Sequence, residues 1–166
     1  MVAMTSSAKI SKQQFINRLA ADYPELGFIK GPRERWSPKT NTITYDPGQP
    51  LKQLQYGVLH ELAHALLGHH TYQSDFELVN MESKAWEMAA GIGRKYGVKL
   101  SSEHIQNCLD TYRDWLYRRS TCPTCQSRAL QPRPGVYRCF NCQTTWKVST
   151  KRFSRPYRLA DVTKTT

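Results

Sequence analysis

The chain has 166 residues, 22% of them charged and 39% hydrophobic, with a formal net charge of +11. That length suits one main domain and an appendage too short to bury a core of its own. No stretch approaches the roughly 18 apolar residues of a membrane span, and Met1–Lys9 lacks the apolar centre of a signal peptide. A chain of the cytosol with reduced thiols and no membrane partner is therefore expected.

In chain order, Ser11-x-x-Gln14 has capping-box spacing. It opens a first helix that carries Phe15, Ile16 and Leu19 and ends before Pro24. Phe28–Trp36 and Asn41–Asp46 are strand candidates joined around Ser37-Pro38-Lys39-Thr40. Thr42-Ile43-Thr44-Tyr45 alternates and precedes the turn Asp46-Pro47-Gly48.

The next helix contains His60-Glu61-Leu62-Ala63-His64. His-Glu-x-x-His sets two imidazoles one turn apart on one face, able to share a zinc ion, with the glutamate between them placed as general base toward a water the metal activates. On a helical wheel over Val58–His69, Leu59, Leu62, Ala63 and Leu66 form the apolar stripe, roughly opposite His60, Glu61 and His64. Leu67 falls at the edge of the histidine face. Gly57 and Gly68 share that face and carry no side chain to obstruct it.

A hydrolytic zinc site requires a third protein ligand. Ser74-Asp75-Phe76-Glu77 caps a further helix, expected to run to about Tyr96, with Glu77, Asn80, Lys84 and Glu87 on its polar face. Glu82 lies instead among Leu78, Ala85, Trp86 and Ala89. A carboxylate on an apolar face is costly unless it is paired or bound to a metal, so Glu82 is the expected third ligand. Asp75, on nearly the same face two turns earlier, is a candidate to orient a ligating histidine. His69 and His70 are rival ligands, although their place suits a helix end.

After the cap Ser101-Ser102, Ile105, Cys108, Leu109, Tyr112, Trp115 and Leu116 form an apolar helical stripe in which Cys108 reads as a small core residue. His104 reads as a surface residue. Cys122-x-x-Cys125 and Cys139-x-x-Cys142 then form two knuckles separated by thirteen residues, the pattern of a four-cysteine zinc ribbon with short strands at Tyr137, Arg138 and Thr144–Val148. Four thiolates leave no open coordination position, so this second zinc is expected to be structural.

Residues 1–117 hold thirteen Lys/Arg against twelve Asp/Glu, and residues 118–166 hold eleven against one. Basic residues interleaved with Tyr137, Trp146, Phe153 and Tyr157 could follow phosphates and stack on bases, making nucleic acid a candidate partner. A solubilising tail is the plainer alternative. Ser149–Thr166 lacks apolar periodicity and is expected to be disordered.

His60-Glu61-Leu62-Ala63-His64-Ala65-Leu66-Leu67-Gly68-His69, followed by Glu82-x-x-Ala85-x-x-Met88-Ala89, resembles the ImmA/IrrE-type metallopeptidases, small gluzincins whose third ligand is a helix-borne glutamate. The resemblance spans roughly residues 28–95. It implies an α+β zincin-like core of active-site helix, small sheet and ligand-bearing second helix, with His60, His64 and Glu82 as ligands and Glu61 as base. It further implies that the strand before the active helix, Ile43–Tyr45, forms the cleft edge for an extended peptide. Trp86 departs from the small polar residue usual there. The expected organisation is a zincin-like domain over 1–117 with a linking helix at about 101–119, a ribbon over 118–148 and a tail over 149–166.

The expected function is zinc-dependent hydrolysis of a protein substrate, with one catalytic and one structural zinc, in its favoured form a regulatory protease that cuts a DNA-binding repressor and is targeted by the ribbon. Tyr45, Tyr56 and Tyr72 are candidates to stabilise the oxyanion. Two alternatives stand beside it. One is a SprT-like protease acting on DNA-bound proteins, although no His-Gly-x-x-Phe-like segment follows His70. The other is a non-catalytic nucleic-acid or protein-binding ribbon on a zincin scaffold.

Overall fold

The computed structural model describes residues 10–149 and the backbone of Arg158–Ala160. It is a mixed α+β structure of helices α1 (Lys12–Asp22), α2 (Leu51–Leu66), α3 (Asp75–Lys95) and α4 (Ser102–Ser120), with strands β1 (Gly27–Lys30), β2 (Arg35–Ser37), β3 (Thr42–Tyr45), β4 (Leu130–Arg133), β5 (Val136–Arg138), β6 (Thr145–Val148) and β7 (Arg158–Ala160). Among the described residues no helix is long and apolar enough to cross a membrane.

The described residues fall into two compact units. One takes the span up to His70 together with Ala85–Leu100; the other takes Thr71–Lys84 together with the span from Ser101 onward. Helix α3 passes from one to the other between Lys84 and Ala85. Helix α4 and the first half of α3 thus group with the cysteine-bearing sheet, where the sequence reading began the ribbon at 118.

In the first unit, α1 starts with a reciprocal capping box. Ser11 Oγ accepts from the Gln14 backbone N–H, and Gln14 Oε1 accepts from Ser11 N–H at 2.8 Å. Phe15, Leu19, Ile43, Leu54, Val58, Leu59 and Leu62 are fully buried and form the core. The single strand expected over Phe28–Trp36 is two strands, divided at Gly31-Pro32, since proline cannot donate to a ladder. The sheet order is β1-β3-β2, with β1 parallel and β2 antiparallel to β3, and α2 packs on β2 and β3. This corrects the expectation for Ile43–Tyr45. Strand β3 is central and paired on both sides, so β1 and β2 are the edges of this sheet.

In the second unit, Leu78 of α3 packs with Tyr112 and Trp115 of α4. The small antiparallel sheet β4-β5-β6-β7 has its own core of Cys122, Ala129, Tyr137, Cys139, Trp146 and Val148. The sequence reading of 149–166 contained no strand, yet Arg158–Ala160 pairs with β6. Apart from Ser149, the remainder of that expected tail, including Phe153 and Tyr157, lies outside the described residues.

Candidate metal centres

Two groups of side chains among the described residues can hold a metal ion. They are Cys122, Cys125, Cys139 and Cys142, and the set His60, His64 and Glu82; in each group the ligand atoms lie within 4.8 Å of one another.

The cysteine group is built by two matching turns. Gln126 N–H donates to Cys122 O at 3.1 Å, and Gln143 N–H donates to Cys139 O at 3.0 Å. The two glutamines take φ of 61° and 63°, the left-handed conformation that closes each knuckle, and neither is a glycine. Cross-knuckle Sγ atoms sit 3.5 Å apart, Cys122 to Cys142 and Cys125 to Cys139. All four cysteines are free rather than disulfide-bonded. Thiolates at 2.3 Å from a tetrahedral ion are about 3.8 Å apart, so the donor set fits such an ion with small adjustment. The local field favours thiolate at two positions. Hydrogen bonds from the Ser127 and Asn141 side chains hold the Cys125 thiol down to about 5, and the Thr144 hydroxyl lowers that of Cys142.

Around α2, the His60 and His64 Nε2 atoms are 3.1 Å apart with the rings edge to face, and both residues are buried. Two imidazole nitrogens on one tetrahedral ion are about 3.3 Å apart, so the spacing of this pair also suits a shared ion. Trp86, the departure from the resembled pattern, stacks on the His60 ring with centroids 4.1 Å apart and planes 23° from parallel. Glu82 precedes Trp86 by one turn of α3 and is buried.

Glu61 is held from β2. Trp36 backbone N–H donates to Glu61 Oε2 at 2.6 Å, and the Trp36 indole N–H donates to His69 O at 3.1 Å. Gly68, at φ 64°, turns the chain back after α2 so that His69 N–H reaches His64 O at 3.0 Å, the wider-spanning bond of a Schellman-type end. The turn returns the His69 ring to His64, with the two Nδ1 atoms 2.8 Å apart. His69, weighed from sequence as a rival ligand, therefore touches the ligand candidate through the nitrogen that faces away from His60.

Other expectations are revised. The space expected beside the histidines at Gly57 belongs to Glu34, whose Cγ would lie 2.6 Å from a Cβ there. Asp75 does not serve a histidine. Its carboxylate is buried and accepts from Arg119 Nε and from the Tyr137 hydroxyl, each at 2.6 Å. The Tyr56 hydroxyl donates to Lys99 O at 2.8 Å, which commits it away from an oxyanion role, and Tyr45 is buried while Tyr72 is exposed. Tyr137 and Trp146, expected as base-stacking residues, are buried and stacked on each other with centroids 5.6 Å apart.

Sequence reasoning missed Trp36 and His69 as supports of the histidine pair. The only available signal was His69 following a glycine at the helix end. Compared with known proteins, the chain matches no family model, no curated protein and no solved structure.

Proposed function

We propose that this chain is a zinc-dependent endopeptidase with a zincin-like core of the ImmA/IrrE type and a structural zinc in the four-cysteine ribbon. The observation that carries the reading is the pairing of His60 and His64 Nε2 atoms at 3.1 Å beside a carboxylate, Glu61, that is oriented by a backbone N–H. His60, His64 and Glu82 would hold the ion. Bound there, it supplies Lewis acidity that makes a water molecule nucleophilic near neutral pH.

The chain's own residues do the rest. Trp36 N–H fixes Glu61 Oε2, which leaves Oε1 to accept the proton of the attacking water and pass it to the departing amine nitrogen. Were His64 Nε2 to ligate the ion, its Nδ1–H would donate to His69 Nδ1, 2.8 Å away, and lock the ring.

The test is a metal count with a cleavage assay on an unfolded protein substrate. Two zinc ions per chain are expected, falling to one in His60→Ala. A single zinc that survives His60→Ala would refute the hydrolytic site. Retained metal without cleavage of any substrate would favour the non-catalytic scaffold, and cleavage that occurs only on DNA-bound protein would favour the SprT-like alternative.

A further inference from the structure

One face of the ribbon sheet is made of cations. Arg138 on β5 lies opposite Leu130 of β4 and Thr145 of β6, and Val136 lies opposite Arg133 of β4 and Lys147 of β6. Side chains alternate along a strand, so Arg133, Arg138 and Lys147 share the face opposite to the buried Tyr137–Trp146 pair. The irregularity in β4 between Leu130 and Arg133 is what puts two residues three apart on that same face. All three cations are exposed. The sequence between Arg118 and Ser149 contains no Asp or Glu, and Asp161 lies outside the described residues.

Two large apolar residues near these cations in sequence or strand pairing are also exposed. Phe140 follows Arg138 with the buried Cys139 between them, and it is 65% exposed at the tip of the second knuckle; Leu130 is 69% exposed. A large aromatic ring held in water on a turn that carries two candidate metal ligands, two residues after the exposed Arg138, matches a polyanion that carries flat apolar groups. A merely acidic protein surface would use the cations and leave Phe140 without a role. Duplex DNA would use the cations too, but its bases are already stacked.

We propose that this face binds single-stranded nucleic acid, with Arg133, Arg138 and Lys147 on the phosphates and Phe140 stacked on an unpaired base. No residue of the face belongs to the histidine site, so the inference stands apart from the hydrolytic reading. The face would bring the chain to single-stranded regions whatever it does there.

The test uses the full zinc-loaded chain and a fluorescent mixed-sequence DNA strand of about 20 nucleotides, with binding read by anisotropy at several salt concentrations. Each phosphate contact on a single strand contributes about −0.7 to the slope of log K against log salt, so Arg133→Gln/Arg138→Gln/Lys147→Gln is expected to flatten the slope by about 2. It should also weaken binding at least tenfold. Phe140→Ala is expected to weaken strand binding roughly tenfold and to leave the slope intact. Arg133→Lys/Arg138→Lys, which keeps the charge, should retain the slope and shows that the fold is not at issue. The proposal is overturned if the full chain does not bind the strand, or if the triple variant stays within twofold of it. It is equally overturned if polyglutamate displaces the strand as well as unlabelled strand does, which would assign the face to acidic protein.

Discussion

The backbone N–H of Trp36 donates to Glu61 Oε2 at 2.6 Å, so the carboxylate between the two histidines is anchored by an edge strand. Because the bond uses a main-chain donor, Glu61→Gln keeps an acceptor for it and loses only the capacity to take a proton. That variant is expected to retain its metal and its thermal midpoint. Peptide cleavage should fall by about 10²–10⁴-fold, the usual contribution of a positioned general base, as read in a fluorogenic protease assay beside metal analysis.

His69→Ala removes the partner of His64 Nδ1 without touching a proposed ligand. Metal affinity at the histidine site is expected to drop about 10–100-fold in competition with a chromophoric chelator, with the ribbon metal unaffected. His69→Asn, which restores an acceptor, should recover part of the loss. Equal affinity in His69→Ala and the parent chain would show that the contact does not orient His64.

Removing the ribbon metal tests a different property. The four-cysteine sheet has a core of six buried residues, two of them cysteines, so an ion held there would supply much of its stability. Cys139→Ser is expected to lose one metal per chain and the protection of amide protons in β5 and β6, measured by hydrogen exchange. Protection unchanged in the metal-free variant would mean that the sheet stands without the ion.

Asp75 and Arg119 are 3% and 2% exposed and joined at 2.6 Å, and Arg119 also donates to Ser149 O. Asp75→Asn leaves a buried guanidinium without its counter-charge and weakens the acceptor for the Tyr137 hydroxyl. A loss of about 3–5 kcal/mol is expected by chemical denaturation of the metal-loaded chain. Arg119→Met in the same background should give part of it back, since the stranded charge is then gone.

Asp22 supplies the pH test. The Tyr96 hydroxyl donates to it at 2.5 Å and Lys95 lies 3.0 Å away, and both hold its carboxyl below the usual value. A depressed folded-state pKa means that the stabilisation is complete above the unfolded value of about 3.9 and is lost as pH falls through the folded one. Asp22→Asn should therefore be less stable than the parent by a constant margin above about pH 5, and the margin should close below it. Thermal melts across that range read the two curves, and a margin that persists at pH 2 would contradict the assignment.

Much of the local structure was legible before any coordinates. The Ser11 and Ser101 caps, the helical run around His60 and His64, and both cysteine knuckles are spacings of a few residues, and such spacings act through neighbouring turns. The expectation that Asp75 would serve a histidine failed for the complementary reason. Its partners are 44 and 62 residues away, and nothing in a helical wheel selects among distant cations and hydroxyls.

The amino-acid sequence by itself determined which donors exist and how they are spaced: two histidines one turn apart with a glutamate between them, four cysteines in two turns, and a C-terminal third with almost no acid. Tertiary structure alone decided which neighbour each donor meets. It made β3 the centre of its sheet and left β2 to hold Glu61 through Trp36, and it turned Tyr137 and Trp146 inward while leaving Phe140 in water. The physical reason is that helix periodicity and turn chemistry act over a few residues, whereas strand order, sheet facing and buried charge pairing are settled only when the whole chain competes for the same interior.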